Sequence, residues 1–416
     1  MTGRKLLGDY GNLLHEVLSR TDMKIEINDG KRVKKVCVIV GSSRSGSSLL
    51  KRVLSNSFDV VSLSGEEEPF YILSRNGFSF SSDSDSFNSI RNADLIHKLF
   101  YNDFSVRDTK ISLEDISFRW KNRLLLQLPR FMIDDCFVSK VDELLKNVYD
   151  KFESDEKSYE LKSAIFIKKL LGKRAGYYDI IASNSGVTFE ETFKVEEPPF
   201  VIPPFGRMFR ESEDFDKVFL FKTPQDCYRI GIFEQLYPNA EIYYVCLLRN
   251  YASVVNGLMD GWLCDYGFFA HNLSMHGECL DIDGYTNVKP YGKIWWKFDL
   301  PPNWHHFKRK PLLEVCTNQW VSAYRHIIDN VVRRKKNHLI VRFEDFILNP
   351  QEQTDRITEF LGISPIVVHD LPLVMITETP KLKRWKKRED LLIPPPGEVI
   401  DIMEILRYDL DIETWL

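Results

Sequence analysis

A loop of glycine and serine residues, Gly41 to Ser48, has the composition of a phosphate-binding loop. It follows a short β-branched run and leads into an amphipathic helical pattern. The free N–H groups at the start of such a helix, and its macrodipole, favour a bound anion. Gly41 and Gly46 have the spacing of a Walker A loop, but Ser47 stands where kinase-type loops carry Lys. The cation is the internal Arg44, so the sequence predicts an anion site without the Walker Lys.

Other charged residues follow predicted strands. They are Glu66, Glu67 and Glu68 after a short strand at residues 60–63, Lys222 at the end of VFLFK, and Arg249 at the end of EIYYVCLLR. Strand patterns at residues 218–222, 241–249 and 338–346 alternate with helical patterns, which indicates a parallel α/β sheet. Such sheets bind ligands at the carboxyl ends of their strands, where these residues lie.

The domain organisation predicted from the patterns is one α/β domain with additions. Residues 1–30 are predicted to be an N-terminal helical appendage, and residues 31–416 the domain itself. Within it, residues 93–209 are mostly helical in pattern and are predicted to be an insertion. The aromatic segment at residues 293–307 interrupts the α/β alternation, and we expect it to be an ordered loop, a lid or a packed surface.

The composition argues against several classes of function. The 56 basic and 60 acidic side chains give a net charge of −4, so no general basic field attracts nucleic acid. No run reaches about eighteen apolar residues and the N-terminus lacks an apolar signal segment, so we expect a soluble, cytoplasmic protein without a membrane span. The seven scattered cysteines predict reduced thiols and no zinc site, with Cys37 and Cys246 buried in strands.

Several segments together resemble sulfotransferases that use 3′-phosphoadenosine 5′-phosphosulfate (PAPS). The segments are the loop R-S-G-S-S, the strand ending in K-T-P, the strand ending at Arg249, the segment RFEDFILNPQEQTDRITEFLGI and the basic loop KLKRWKKRED. The resemblance covers residues 33–73 and 215–390 and is to the family, in its bacterial or carbohydrate-sulfotransferase form. It implies a P-loop NTPase-like parallel sheet flanked by helices, with the insertion shaping the acceptor side.

The resemblance also implies two anion sites, one for each end of PAPS. The 5′-phosphosulfate would be held by the amides, hydroxyls and guanidinium of the loop, and the 3′-phosphate by Arg249 and the basic loop. The family's usual Ser, 8 residues after this Arg, is Gly257 here, and we expect Asn256 or Ser253 to replace it. The predicted donor-binding residues are Arg44, Ser45, Gly46, Ser47, Ser48, Arg249, Asn256, Ser253, Trp385, Lys386, Lys387 and Arg388.

Sulfuryl transfer requires that the acceptor loses a proton and that charge on the leaving oxygen is neutralised. The run E-E-P-F-Y resembles the Glu-x-x-aromatic-aromatic pattern of family members with a Glu base, which makes Glu67 the first choice and leaves Glu66 and Glu68 open. Lys222 and Arg44 are expected to act on the sulfonate and the bridging oxygen.

The predicted reaction moves a sulfonate group from PAPS to a hydroxyl, or an amine, of a sugar or a small natural product. It releases adenosine 3′,5′-bisphosphate and needs no metal. His305 and His306 are an alternative base, whereas Glu344 and Asp345 are expected to be structural. The alternatives are an NTP-dependent P-loop kinase or nucleotide hydrolase, which would require a Gly-Lys-Ser/Thr step, and a catalytically silent nucleotide-binding protein of this fold. The acceptor and the oligomeric state stay open.

Overall fold

A seven-stranded, mainly parallel sheet lies at the centre of the computed structural model, which describes residues 12, 15–20, 29–172, 195–196, 202–265, 267–374 and 381–416. Its strands are β1 (Lys35–Val40), β2 (Val60–Leu63), β3 (Phe104–Val106), β4 (Arg207–Met208), β5 (Val218–Phe221), β6 (Glu241–Leu248) and β9 (His338–Arg342). The strands β7 (His271–Asn272) and β8 (Trp295–Trp296) form a separate pair. The order is β4–β3–β2–β5–β1–β6–β9. In this spatial order, the neighbouring strands β2, β5, β1, β6 and β9 all pair parallel, which confirms the predicted α/β class.

Strand β1 lies inside the sheet because its run of small and β-branched residues can be buried on both faces. All residues from Val36 to Val40 are at most 1% exposed, as is typical of a parallel strand covered on both sides. Val36 and Val38 belong to the apolar core on one side of the sheet, and Cys37 to the core on the other. Cys37 and Cys246 are buried free thiols, as predicted.

Helices cover both faces of this sheet and form most of the described part of the insertion. In the described residues they are Ser47–Leu54, Glu68–Leu73, Ala93–Asp103, Leu113–Gln127, Pro129–Met132, Asp135–Val148, Glu156–Leu171, Ile232–Leu236, Tyr251–Leu263, Leu312–Ile327, Phe343–Leu348, Pro350–Leu361, Glu389–Leu392 and Gly397–Ile405. Local capping sets some of the boundaries: Ser112 and Asp115 form a capping box, and Gly362 ends a helix in the left-handed conformation. None of these helices, among the described residues, is both long and apolar enough to span a bilayer.

The segment predicted to be a helical insertion, residues 93–209, also extends the sheet. Its strand β3 pairs antiparallel with β2, and β4 pairs antiparallel with β3. These strands are 3 and 2 residues long, too short to produce a readable alternation in the sequence. Of the predicted N-terminal appendage, residues 15–20 are helical, and most of the remainder lies outside the described residues.

The carboxyl ends of β1, β2, β5 and β6 meet at one edge of the sheet. From β1 the chain continues to β2 on one side, whereas β6 lies on the other side, so β1 is a topological switch point. Open α/β sheets bind their ligands in the crevice at such a point. The loop after β1, the carboxylates after β2, Lys222 and Arg249 therefore approach one another.

Candidate active site

The predicted phosphate loop leaves β1 at Gly41 and enters the helix Ser47–Leu54 through Gly46. Gly46 has a φ of 98°, and a Cβ atom there would lie 2.2 Å from Phe343 Cε2. A Cβ atom on Gly41 would lie 2.8 Å from the carbonyl oxygen of Leu247. Glycine is therefore needed at both ends of the loop, because each allows an approach that a side chain would block.

A cavity of about 450 Å³ opens on this loop at the carboxyl edge of the sheet. Apolar side chains, among them Phe268, Phe298, Phe343 and Leu371, form part of its wall. The polar part of the wall consists of Ser43, Arg44, Gly46, Ser47, Ser48, Glu66, Lys222, Gln225, Arg249, Asp299, Lys381 and Arg384. The predicted loop residue Ser45 is fully buried and is not part of this wall.

Lys222 connects the phosphate loop to a carboxylate. Its side chain is 3% exposed, and Nζ donates a hydrogen bond to Ser48 Oγ at 2.9 Å. The same ammonium forms an ion pair with Glu66 Oε1. Glu66 and Lys222 both line the cavity, so a cation and a carboxylate stand together beside the loop.

The neighbouring Glu67, the first-choice base, is fully buried outside the cavity wall. Its Oε1 atom accepts a hydrogen bond from the backbone N–H of Lys222 at 2.6 Å, and its own N–H donates to Thr223 Oγ1 at 3.0 Å. Burial, with the charge of Asp226 next, raises the pKa of Glu67 to about 8. Glu67 thus positions the Lys222 backbone, whereas Glu66 is the glutamate of this run that lines the cavity.

Glu68, the third carboxylate of the run, lies away from the cavity wall. It accepts a hydrogen bond from Arg229 Nη1 at 2.7 Å, and the Arg229 guanidinium is itself completely buried. The three consecutive carboxylates therefore have three different surroundings, because the backbone enters the helix Glu68–Leu73 at this point.

Arg249 lies where predicted, at the end of β6 and in the cavity wall. Its Nη1 atom donates to the backbone oxygen of Arg44 at 3.1 Å, and its guanidinium carbon lies 4.2 Å from the centre of the Phe343 ring. Its Nε atom is buried and has no hydrogen-bond partner among the described residues. Buried guanidinium groups normally have all their N–H groups hydrogen-bonded. This N–H of Arg249 is therefore available to a hydrogen-bond acceptor on a bound ligand.

The two residues predicted to replace the missing Ser are engaged elsewhere. Asn256 Oδ1 accepts a hydrogen bond from Arg388 Nη1. Ser253 Oγ donates to the backbone oxygen of Leu416 at 2.5 Å. Neither Asn256 nor Ser253 belongs to the cavity wall. Their role in binding the donor stays a prediction, and in this structure both side chains are engaged outside the cavity.

The basic loop near residues 381–388 approaches the cavity through other residues than those predicted. Arg384 and Lys381 line the cavity, whereas Trp385 is buried and donates from Nε1 to the Trp415 backbone oxygen at 3.2 Å. Asp260 holds the loop in place, since its carboxylate pairs with Arg384 at 2.8 Å, Lys387 at 2.9 Å and Arg388 at 2.7 Å. The predicted residues Lys386, Lys387 and Arg388 are not part of the cavity wall. The charge run indicates a basic loop, but sequence could not show which of its cations line the cavity.

Asp299 is a cavity residue that the sequence patterns missed. It is 1% exposed, its Oδ1 atom accepts a hydrogen bond from Ser43 Oγ, and its Oδ2 atom accepts one from Tyr228 OH at 2.7 Å. Burial raises the pKa of Asp299 to about 6. The only signal in the sequence is that it is the single carboxylate of the aromatic segment at residues 293–307.

Apart from Phe298 and Asp299, the aromatic segment itself is largely core. Trp296 is 0% and Trp304 2% exposed. His305, an alternative base, stacks on Trp304 with ring centroids 3.8 Å apart and lies outside the cavity wall, as does His306. Glu344 accepts a hydrogen bond from Asn250 Nδ2 at 2.6 Å, which agrees with the structural role expected for it. No group of three or more His, Cys, Asp or Glu residues in the described part of the chain could hold a metal ion.

Comparison with known proteins adds structural neighbours. No protein-family model matches the chain, and no curated protein does. Among solved structures, the chain is similar to the sulfotransferase domain from the curacin biosynthetic pathway, with 13% identity, coverage of 91% of this chain and 99% of that chain, and a TM-score of 0.38. It is also similar to the sulfotransferase domain of the Synechococcus PCC 7002 olefin synthase (11% identity, coverage 93% and 99%, TM-score 0.34). A third structure is a sulfotransferase from Alicyclobacillus acidocaldarius (14% identity, coverage 92% and 99%, TM-score 0.36).

Proposed function

We propose that this chain is a sulfotransferase that moves a sulfonate group from PAPS to an acceptor hydroxyl. The observation that carries the proposal is the position of Lys222, whose ammonium contacts both Ser48 of the phosphate loop and Glu66 in one cavity. A cation, an anion-binding loop and a carboxylate adjoin one another there, and sulfuryl transfer needs all three. A Walker-type kinase would need a Lys at the end of the loop, where this chain has Ser47.

The two anionic ends of PAPS would have separate partners in the cavity. The backbone amides at the start of the helix Ser47–Leu54, with the Ser48 hydroxyl, suit the 5′-phosphosulfate. Arg249 and Arg384 suit the 3′-phosphate, because guanidinium groups bind phosphate through paired hydrogen bonds. The unsatisfied Nε–H of Arg249 supports this assignment, since a phosphate oxygen would complete its hydrogen bonding.

In the proposed reaction, Glu66 accepts the proton of the acceptor hydroxyl as the acceptor oxygen forms a bond to sulfur. The bond between sulfur and the bridging oxygen of the 5′-phosphate breaks, and adenosine 3′,5′-bisphosphate leaves. Lys222 stabilises the charge that develops on the bridging oxygen. A lysine ammonium has three N–H donors, and the contacts with Ser48 and Glu66 use two of them. The scheme uses no metal ion, because side chains and backbone amides neutralise the transferred group.

Incubation with radiolabelled PAPS and a panel of sugar, phenolic and aliphatic alcohols tests this function. We expect label to move to at least one acceptor in the presence of a metal chelator, and the transfer to be lost in Lys222→Met. Release of phosphate from ATP that depends on magnesium would contradict the proposal and support the kinase or hydrolase alternative. Donor binding with no transfer to any acceptor or to water would support the silent binding protein.

A further inference from the structure

Gly257 lies on the helix Tyr251–Leu263 at the point where that helix meets the side chain of Arg44. A Cβ atom on Gly257 would lie 3.5 Å from Arg44 Cβ and 3.6 Å from Arg44 Nε. The stem of Arg44 therefore packs against bare helix backbone. A single methyl group at position 257 would make ordinary contact, whereas a β-branched side chain would occupy the space that Arg44 uses.

The backbone of Arg44 is held in a conformation that turns its side chain toward this helix. Its φ is 68°, in the left-handed region that few residues other than glycine adopt. The hydrogen bond from Arg249 Nη1 to the Arg44 backbone oxygen, at 3.1 Å, fixes the loop at this residue. The guanidinium carbon of Arg44 lies 5.3 Å from the centre of the Phe268 ring, inside the cavity.

Three arginines consequently share one cavity wall. Arg44, Arg249 and Arg384 all line it, and Asp260 holds Arg384 at 2.8 Å. Burial, and then the positive charges of Arg249 and Arg384, lower the pKa of Arg44 to about 10. Like charges that lie together repel each other, an effect that Asp260 offsets in part and that a bound anion would reduce further. A phosphate group bound beside the three guanidinium groups is therefore favoured electrostatically.

We propose that Arg44 and Gly257 form a matched pair, in which the bare helix at Gly257 lets Arg44 join Arg249 and Arg384 in binding the 3′-phosphate of the donor. This inference rests on the proposed function and gives Arg44 a different role from the predicted one at the 5′-phosphosulfate. It also explains why Asn256 and Ser253 can be engaged by Arg388 and Leu416: the missing Ser is replaced by a guanidinium from the loop.

Calorimetric titration with adenosine 3′,5′-bisphosphate and with adenosine 5′-phosphate tests the role of Arg44. We expect Arg44→Ala to weaken binding of the bisphosphate by about tenfold or more, as for the loss of one charge-assisted contact, and to change binding of the monophosphate by less than about threefold. Equal losses for the two ligands would overturn the assignment to the 3′-phosphate. Failure of the wild-type chain to bind the bisphosphate would instead defeat the proposed function, and this inference with it.

A double-mutant cycle tests the pairing. Gly257→Val should weaken bisphosphate binding about as much as Arg44→Ala does, and the double variant should be no weaker than Arg44→Ala, because the displaced group is then already absent. Gly231→Val, at a glycine where a Cβ atom would have no neighbour within 4 Å in the described part of the chain, is the matched control and should bind like the wild type. Additive losses in the double variant would overturn the pairing. Circular dichroism verifies folding, and if Gly257→Val is unfolded, the comparison of the two ligands with Arg44→Ala still decides the role of Arg44.

Discussion

The ammonium nitrogen of Lys222 lies 2.9 Å from Ser48 Oγ and also contacts Glu66 Oε1, so one cation joins the phosphate loop to the end of β2. The backbone N–H of the same lysine is held by Glu67 Oε1 at 2.6 Å. Two consecutive glutamates thus act on one lysine, one on its side chain in the cavity and the other on its backbone in the core. The proposed chemistry depends on this division between them.

Replacement of Lys222 should reduce catalysis much more than donor binding. In Lys222→Met we expect kcat to fall by about 10²–10³-fold, because the charge that develops on the bridging oxygen loses its stabilising cation. The affinity for adenosine 3′,5′-bisphosphate should fall less, by about tenfold at most, since the former bridging oxygen stays on its 5′-phosphate and loses one charge-assisted contact. Lys217→Met, at the opposite end of β5, is the matched control. An unchanged kcat in Lys222→Met would contradict the role of Lys222.

The isosteric amide variants of Glu66 and Glu67 distinguish the roles of these two residues. We expect Glu66→Gln to lower kcat by about 10²–10⁴-fold while bisphosphate binding is retained, because a general base is lost. Glu67→Gln keeps an acceptor oxygen for the Lys222 backbone, so its loss of kcat should be smaller. Rate measurements with labelled PAPS distinguish the two variants. A larger loss in a folded Glu67→Gln variant would restore Glu67 as the base.

The buried Glu67 should make stability depend on pH. Its folded pKa of about 8 exceeds the ordinary value of 4.5, so the folded chain keeps a proton that the unfolded chain has released. The stability that this group contributes is fully present below about pH 4.5 and is lost as the pH rises through about 8. The melting temperature of Glu67→Gln relative to wild type should therefore increase between about pH 5 and pH 8. Glu359→Gln, at an exposed position, is the control, and its melting temperature should stay close to that of the wild type. A difference for Glu67→Gln that stays constant with pH would refute the raised pKa.

Arg249 should distinguish nucleotides that differ only in the 3′-phosphate. We expect Arg249→Ala to weaken the binding of adenosine 3′,5′-bisphosphate by about tenfold or more. The binding of adenosine 5′-phosphate should weaken much less, because only the 3′-phosphate reaches this guanidinium. Calorimetry measures both affinities. The exposed Arg334→Ala is the matched control, and we expect it to bind both ligands like the wild type. Equal weakening of the two ligands by Arg249→Ala would contradict a 3′-phosphate site.

The α/β class and the convergence of loop, carboxylates, Lys222 and Arg249 could be predicted from sequence because they follow from local patterns. A β-branched run followed by glycine and a helical period predicts β1 and its loop. The carboxyl ends of parallel strands then have to meet at one edge. These predictions need no information about side-chain direction.

The features that sequence could not supply depend on side-chain direction or on distant contacts. Three consecutive carboxylates look equivalent until the backbone turns into a helix and sends Glu66 to the cavity and Glu67 to the core. Asp299 meets Ser43 across 256 positions of the chain. Asp260 forms ion pairs with cations of a loop more than a hundred residues further along the chain. No local sequence pattern indicates such a partner.

Calorimetric titration of the wild-type chain with adenosine 3′,5′-bisphosphate, in the presence and absence of magnesium, tests the central claim most directly. The account predicts binding that is independent of magnesium and tighter than that of adenosine 5′-phosphate by about tenfold or more, since Arg44, Arg249 and Arg384 act on the additional phosphate. Absence of bisphosphate binding, together with magnesium-dependent binding of ATP, would contradict it.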